Sequence, residues 1–149
     1  MSRKKYSGPR RPIEKDVITV HQTPTSTSQL ETLLYTADDP CTVIRIVGNL
    51  VALGTYAGVG WGHIAIVKVD ANLGASTLDN TNGNFVYRPE HNVLWHGSYC
   101  IEENVAINLP VDVKGMRKLR EQDSIRLIVR GANTFTQYIH GSLTIMSKH

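Results

Sequence analysis

The sequence predicts an all-β domain behind a basic, non-folding start. Three observations carry this. Apolar residues recur with a period of two, turn chemistry separates the apolar runs, and no stretch of ten or more residues carries a convincing helical stripe.

Each element follows from its own residues. After the basic start, VITVHQTPTSTSQ reads as a short β run at 17–21, a candidate extra edge strand, and then a Thr/Ser/Pro linker. CTVIRIVGNLVALG supplies Val43, Ile44, Ile46, Val47, Leu50, Val51 and Leu53, and HIAIVKVD alternates Ile64, Ile66 and Lys68 against Ala65, Val67 and Val69. NVLWHGSYCI, NVAINLPVDV, SIRLIVRG and TQYIHGSLTIM follow, rich in residues that suit a pleated, half-buried surface. Eight strands are expected, near 30–36, 42–53, 63–70, 93–96, 98–108, 111–119, 124–130 and 136–146. DDP, GTYAGVGWG, DANLG, DNTNGN, RPEHN and RGANT supply the turns between runs. The one helical candidate, KGMRKLREQD, has apolar residues only at Met116 and Leu119, too thin a stripe to bury. ANLGASTLDNTNGNFVYRPEHN is a connection of over twenty residues, which argues against a meander of tight hairpins. The residues themselves leave sandwich, barrel and jelly roll open.

A chain of 149 residues is long enough for one domain with a sizeable core. With 41% hydrophobic and 19% charged residues it reads as globular. No run approaches the roughly 18 apolar residues of a membrane span, so no membrane insertion is expected. The basic start is followed by SGPRRPIEKD and lacks the apolar stretch of a signal peptide, so the arm is expected on the mature protein. The expected organisation is an arm over residues 1–16 and one domain over 17–149. Cys41 and Cys100 form no disulfide framework and are expected as buried free thiols.

Charge is divided unevenly. Residues 1–15 hold Arg3, Lys4, Lys5, Arg10, Arg11 and Lys15 against Glu14, a net of +5, while 16–149 hold ten basic and twelve acidic residues, a net of −2. That split points to a polyanionic partner for the arm. Fifteen extended residues reach about 50 Å, and flexible Lys and Arg neutralise phosphates without reading sequence. A second concentration lies in KGMRKLREQDSIRLIVR: Lys114, Arg117, Lys118, Arg120, Arg126 and Arg130 against Glu121 and Asp123. If this segment forms two strands joined by REQD, Arg126 and the cluster at 117–120 share a surface with the root of the arm. The plainer reading is a solvated strand surface.

Catalytic signatures are missing. There is no G-x-S-x-G, H-E-x-x-H or P-loop, and GVGWG is not followed by a helix. His63, His91, His96 and His140 invite a metal reading of the cupin type, but HNVLWH puts His91 and His96 at an odd offset, on opposite faces of a strand. No metal, no cofactor and no enzymatic activity are expected. Tyr6 is the one aromatic in the arm, and Trp61 and Trp95 sit among apolar strand residues, so core or subunit-contact roles are expected rather than base stacking.

The start MSRKKYSGPRRP and the closing stretch VDVKGMRKLREQDSIRLIVRGANTFTQYIHGSLTIM carry a resemblance. They are similar to the single jelly-roll capsid proteins of small circular single-stranded DNA viruses that encode a replication initiator, and to satellite-virus coat proteins. The closing stretch resembles the family's last strands, where a K-L-x-x-x-D-x-I-x-L run leads into the penultimate one. The resemblance implies an eight-stranded antiparallel jelly-roll sandwich with a disordered or extended basic N-terminal arm. It implies a coat protein that assembles as a homo-oligomer into an icosahedral shell and lies in the virion, with a stage in the host nucleus before assembly. The shortness of the chain favours the smallest closed shell, T=1. Its genome, single-stranded DNA in preference to RNA, would be bound by Arg3, Lys4, Lys5, Arg10, Arg11 and Lys15, with Lys114, Arg117, Lys118 and Arg120 as the second basic site. The competing readings are a trimeric recognition domain similar to TNF or C1q, and a cupin-type enzyme.

Overall fold

Side chains alternate between core and solvent along the long strands, and that alternation organises the fold. The computed structural model describes residues 12–23, 30–54, 60–71, 79–81, 84–86, 92–102, 105–131 and 137–149. Within them lie β1 (Ile13–Gln22), β2 (Leu30–Thr36), β3 (Cys41–Gly54), β4 (Gly60–Val69), β5 (Asp79–Thr81), β6 (Asn84–Val86), β7 (Val93–Ile101), β8 (Ala106–Leu119), β9 (Ser124–Gly131) and β10 (Gln137–Lys148). Sheet A has the order β1-β10-β3-β8 and sheet B the order β2-β9-β4-β7, while β5 and β6 pair as a small separate ladder. Neighbouring strands in all three run antiparallel. In each large sheet, strands from the two ends of the chain interleave: β10 lies between β1 and β3, and β9 between β2 and β4. The fold is a jelly roll.

Ile46, Leu50, Ile139, Leu143 and Ile145 of sheet A meet Ile64, Ile66, Ile125, Leu127 and Val129 of sheet B in one buried cluster. Each such side chain contributes about 1.5–3 kcal/mol of transfer free energy. On the opposite parity of β4 and β9, Ala65, Val67, Val69 and Ile128 form a second buried cluster. Both faces of these two strands are therefore covered, which explains why their sequences read as nearly continuous apolar runs.

The eight sandwich strands match the expected number through two compensating differences. The run at 17–21, read as an optional edge strand, is a full strand that starts at Ile13, inside the 1–16 stretch assigned to the arm, so Lys15 is a strand residue. Conversely, the three strands expected at 93–96, 98–108 and 111–119 are two. Gly97 does not end β7; it makes room for Trp95, whose ring would lie 2.9 Å from a Cβ at 97. Pro110 does not end β8, because β8 is an edge strand, where a missing N–H is tolerated. The true break follows Glu102, whose carbonyl accepts the Val105 N–H at 3.2 Å. The long connection also holds β5 and β6, which the sequence pattern did not announce.

Cys41 and Cys100 are both free, but Cys100 is exposed rather than buried. Its neighbour Tyr99 takes the inward position, so strand alternation turns Cys100 out. Trp95 is partly buried and packs against the main core, while Tyr6 and the side chain of Trp61 lie outside the described residues.

The corner between β8 and β9 is organised by Asp123, which is 2% exposed. Its carboxylate accepts the N–H groups of Arg120 at 2.8 Å and Ala71 at 3.1 Å, and Lys68 Nζ stands 3.6 Å away. Its carbonyl accepts the Ala37 N–H at 2.9 Å, and the Ala37 carbonyl accepts the Gln122 N–H at 2.7 Å. One residue thus joins the exits of β2, β4 and β8. Burial alone raises the Asp123 pKa, but the two amide hydrogen bonds and the Lys68 ammonium outweigh it and hold the carboxyl below its ordinary value.

A depressed carboxyl pKa stabilises the fold fully above the unfolded value of about 3.9, and that contribution disappears as pH falls through the folded value. Asp123→Ala is expected to cost roughly 1–3 kcal/mol near neutral pH, because it leaves the amide donors of Arg120 and Ala71 without their acceptor. Urea unfolding at a series of pH values should show this cost shrinking below about pH 4; a cost that stays constant there would mean Asp123 is not ionised in the folded state. A second expected outcome concerns Gly62. A Cβ there would overlap the Tyr99 hydroxyl, which donates to Gln137 Oε1, and would lie 2.8 Å from the Arg130 carbonyl oxygen. Gly62→Ala should cost about 1–3 kcal/mol as an overpacking change, with a perturbed near-ultraviolet tyrosine signal.

Candidate nucleic-acid interface

Strand register decides which basic residues stand together. Ile13, the first residue of β1, pairs with Lys148; Lys148 pairs with Thr42, and Thr42 with Lys118. Directly opposed residues share a face, so this row crosses the whole of sheet A at the end from which the arm departs. Further in, Lys15, Met146, Arg45 and Lys114 form a second row across the same four strands. Alternation places both rows on the outer face, since Ile145, Ile46 and Val113 next to them are buried.

Two irregularities shape this end. The register of β3 against β8 slips between Val43 and Arg45. Opposite the slip, Gly115 takes φ of +109°, a backbone state that side chains rarely adopt. The bulge lets Ile44 and Arg45, neighbours in sequence, both reach the outer face.

Among the outward residues of sheet A the cations are Lys15, Arg45, Lys114, Lys118 and Lys148, and the one carboxylate is Asp112. Asp112 is already occupied. Arg45 Nε and Nη2 donate to its two oxygens at 3.0 and 3.3 Å, and Lys114 Nζ is 3.6 Å away. The Arg45 hydrogen bond, backed by the charges of Arg45 and Lys114, holds the Asp112 pKa below its ordinary value. Among the described residues no ion pair engages Lys15, Lys118 or Lys148.

The candidate residues read from the sequence divide accordingly. Arg3, Lys4, Lys5, Arg10 and Arg11 lie outside the described residues. Lys15, Lys114 and Lys118 share the outer face of sheet A. Arg117 is exposed on the edge strand with the opposite parity, and Arg120 is exposed just past β8, its backbone N–H held by Asp123. Arg126 does not join them. The REQD turn is a corner between sheets rather than a hairpin, so Arg126 belongs to sheet B, where its Nη1 lies 3.1 Å from Glu31 Oε2. Lys148 and Arg45 are the residues sequence reasoning missed. Each is isolated in sequence, and only the β10 and β3 pairings bring it into the rows.

The histidines are dispersed. His63 Nδ1 is 2.9 Å from Ser98 Oγ on sheet B, its pKa lowered by burial and then by the charge of His96. His140 faces His21 across sheet A, and His91 lies outside the described residues. Among the described residues no three metal-ligating side chains come together.

No protein-family model matches the chain, and no curated protein is detectably similar to it. Among solved structures, one similar chain comes from infectious bursal disease virus, Gt strain, with 11% identity, a TM-score of 0.43, and 92% of this chain covered; this chain spans 32% of that one. Another comes from Desmodium yellow mottle tymovirus, with 12% identity, a TM-score of 0.34, and coverage of 95% of this chain and 91% of that one.

Removing the single outward carboxylate of sheet A offers a direct electrostatic test. Asp112→Ala should free Arg45 and Lys114 for phosphate. The log–log salt dependence of single-strand binding should then steepen by about 0.7 for each cation engaged, with little change in stability because the pair is exposed. An unchanged salt slope would place this face away from bound nucleic acid.

Proposed function

We propose that the protein is a viral coat subunit that assembles into a small icosahedral shell, T=1, and packages its nucleic-acid genome through its basic N-terminal arm. One observation supports this most. β1 roots the arm at Ile13 beside Lys148, in register with Lys118, so two basic concentrations far apart in sequence work from one end of one sheet. A single flexible cationic segment binds a polyanion weakly. Many copies held on one side of a closed shell sum to a strong attraction that does not read bases. The resemblance favours single-stranded DNA, and RNA satisfies the same chemistry. The virion is the working location, with a stage in the host nucleus before assembly.

Electron microscopy of the purified protein, with size-exclusion chromatography, tests the assembly. Hollow spherical particles are expected; trimers would instead support a recognition domain, and a stable monomer across a range of salt would contradict the coat reading. Deleting residues 1–12 tests the arm, because it removes Arg3, Lys4, Lys5, Arg10 and Arg11 and leaves β1 whole. Folding and shell formation should persist while encapsidated nucleic acid falls sharply, with a salt slope shallower by about 0.7 for each phosphate the arm no longer neutralises. Truncated shells holding as much nucleic acid as intact ones would remove the arm from this role.

A further inference from the structure

The arm end of sheet A is concave. A groove of about 360 Å³ has Pro40 and Ile44 as its accessible apolar part, and Thr42, Lys118, Lys148 and His149 also line it. Ile44 lies two residues after the outward Thr42 and shares its face, and the bulge brings Arg45 out beside it. Lys118 on β8 and Lys148 on β10 flank β3, two strand spacings apart, so their backbones stand about 10 Å from each other.

The charges around the groove define what it can hold. Neither lysine is engaged by a carboxylate among the described residues. Glu14 Oε2 lies 2.9 Å from His149 Nε2, and Asp112 is held by Arg45 and Lys114. Asp38 and Asp39 are exposed just before Pro40, so an anion is repelled from the Pro40 side and drawn to the span between the lysines. Two ammonium groups over an apolar floor suit a ligand that alternates anionic and apolar parts.

We propose that this groove is a docking site on the folded body for the backbone of a single-stranded nucleic acid. Lys118 and Lys148 take phosphate oxygens, Thr42 between them supplies a hydroxyl donor, and sugar and base surfaces lie on Ile44. Phosphate contacts and apolar surface carry no base-edge code, so the site accepts any sequence. The inference rests on the genome-binding reading and deepens it. The arm gathers the strand, and the groove beside its root holds a short run of it against the body.

The test uses the full-length protein and a short fluorescent oligothymidylate, with affinity measured over a salt series. The double variant K118Q/K148Q should bind more weakly, with a log–log slope shallower by about 1.4, two phosphates at about 0.7 each. Arg126→Gln, on the other sheet, should keep the wild-type slope. If the wild-type protein binds no oligonucleotide, the genome-binding reading itself fails and the groove with it. If the wild type binds and the double variant matches its affinity and slope, the groove is overturned while the arm keeps its role. Lysine acetylation of the wild-type protein gives a readout that needs no variant. Oligonucleotide should protect Lys118 and Lys148 more than Lys114. Equal labelling with and without oligonucleotide overturns the proposal, as does protection that appears on assembly alone, which would make the groove a contact between copies.

Discussion

The arrangement of this molecule depends on β10 lying between β1 and β3. That placement joins the two ends of the chain in adjacent strands, with Ile13 opposite Lys148. It holds sheet A together, since the two pairings of β10 make a three-strand unit to which β8 adds at one edge. It also sets where the N-terminal segment meets the body, at Ile13. An arm of the same composition rooted elsewhere would have the same charge and a different neighbour. Here its neighbour is the row Lys148, Thr42 and Lys118.

Long-range pairing of this kind orders slowly, because loop closure must precede the contacts that reward it. In the folded state the strand exits are tied together at a corner. Asp123 gathers the exits of β2, β4 and β8 with hydrogen bonds inside a buried site. The same residue fixes the end of β8, and so the position of Arg120 and the strand that carries Lys118. Structure and electrostatics meet at this corner: one buried carboxylate keeps its charge so that the exposed cations beside it keep their geometry.

Much of the fold was legible because strand sequences on a two-sided core must alternate. The runs at β3 and β10 show that pattern. The failures are equally physical. Gly97 and Pro110 look like breaks in isolation, yet one makes space for Trp95 and the other sits on an edge. β1 carries few apolar residues because an edge strand covers little core, so its first half read as part of the arm. The basic surface was legible only where charge is clustered in sequence. Lys114 and Lys118 were visible; Arg45 and Lys148, single cations in apolar strands, were not. Asp123 passed for an ordinary turn residue, since no local signal distinguishes a carboxylate that faces water from one that three segments enclose. The expectation that Arg126 joins the cluster failed because a turn sequence does not say whether it reverses within a sheet or crosses between two.

In the proposed shell the subunit has a direction: the outer face of sheet A and the arm rooted on it look toward the nucleic acid, and sheet B looks elsewhere. An electron-microscopic reconstruction of particles assembled with nucleic acid measures this directly. Lys118 and Lys148 are expected to line the particle interior with density against them. Sheet A turned to the outer surface, with the interior lined by sheet B, would contradict it.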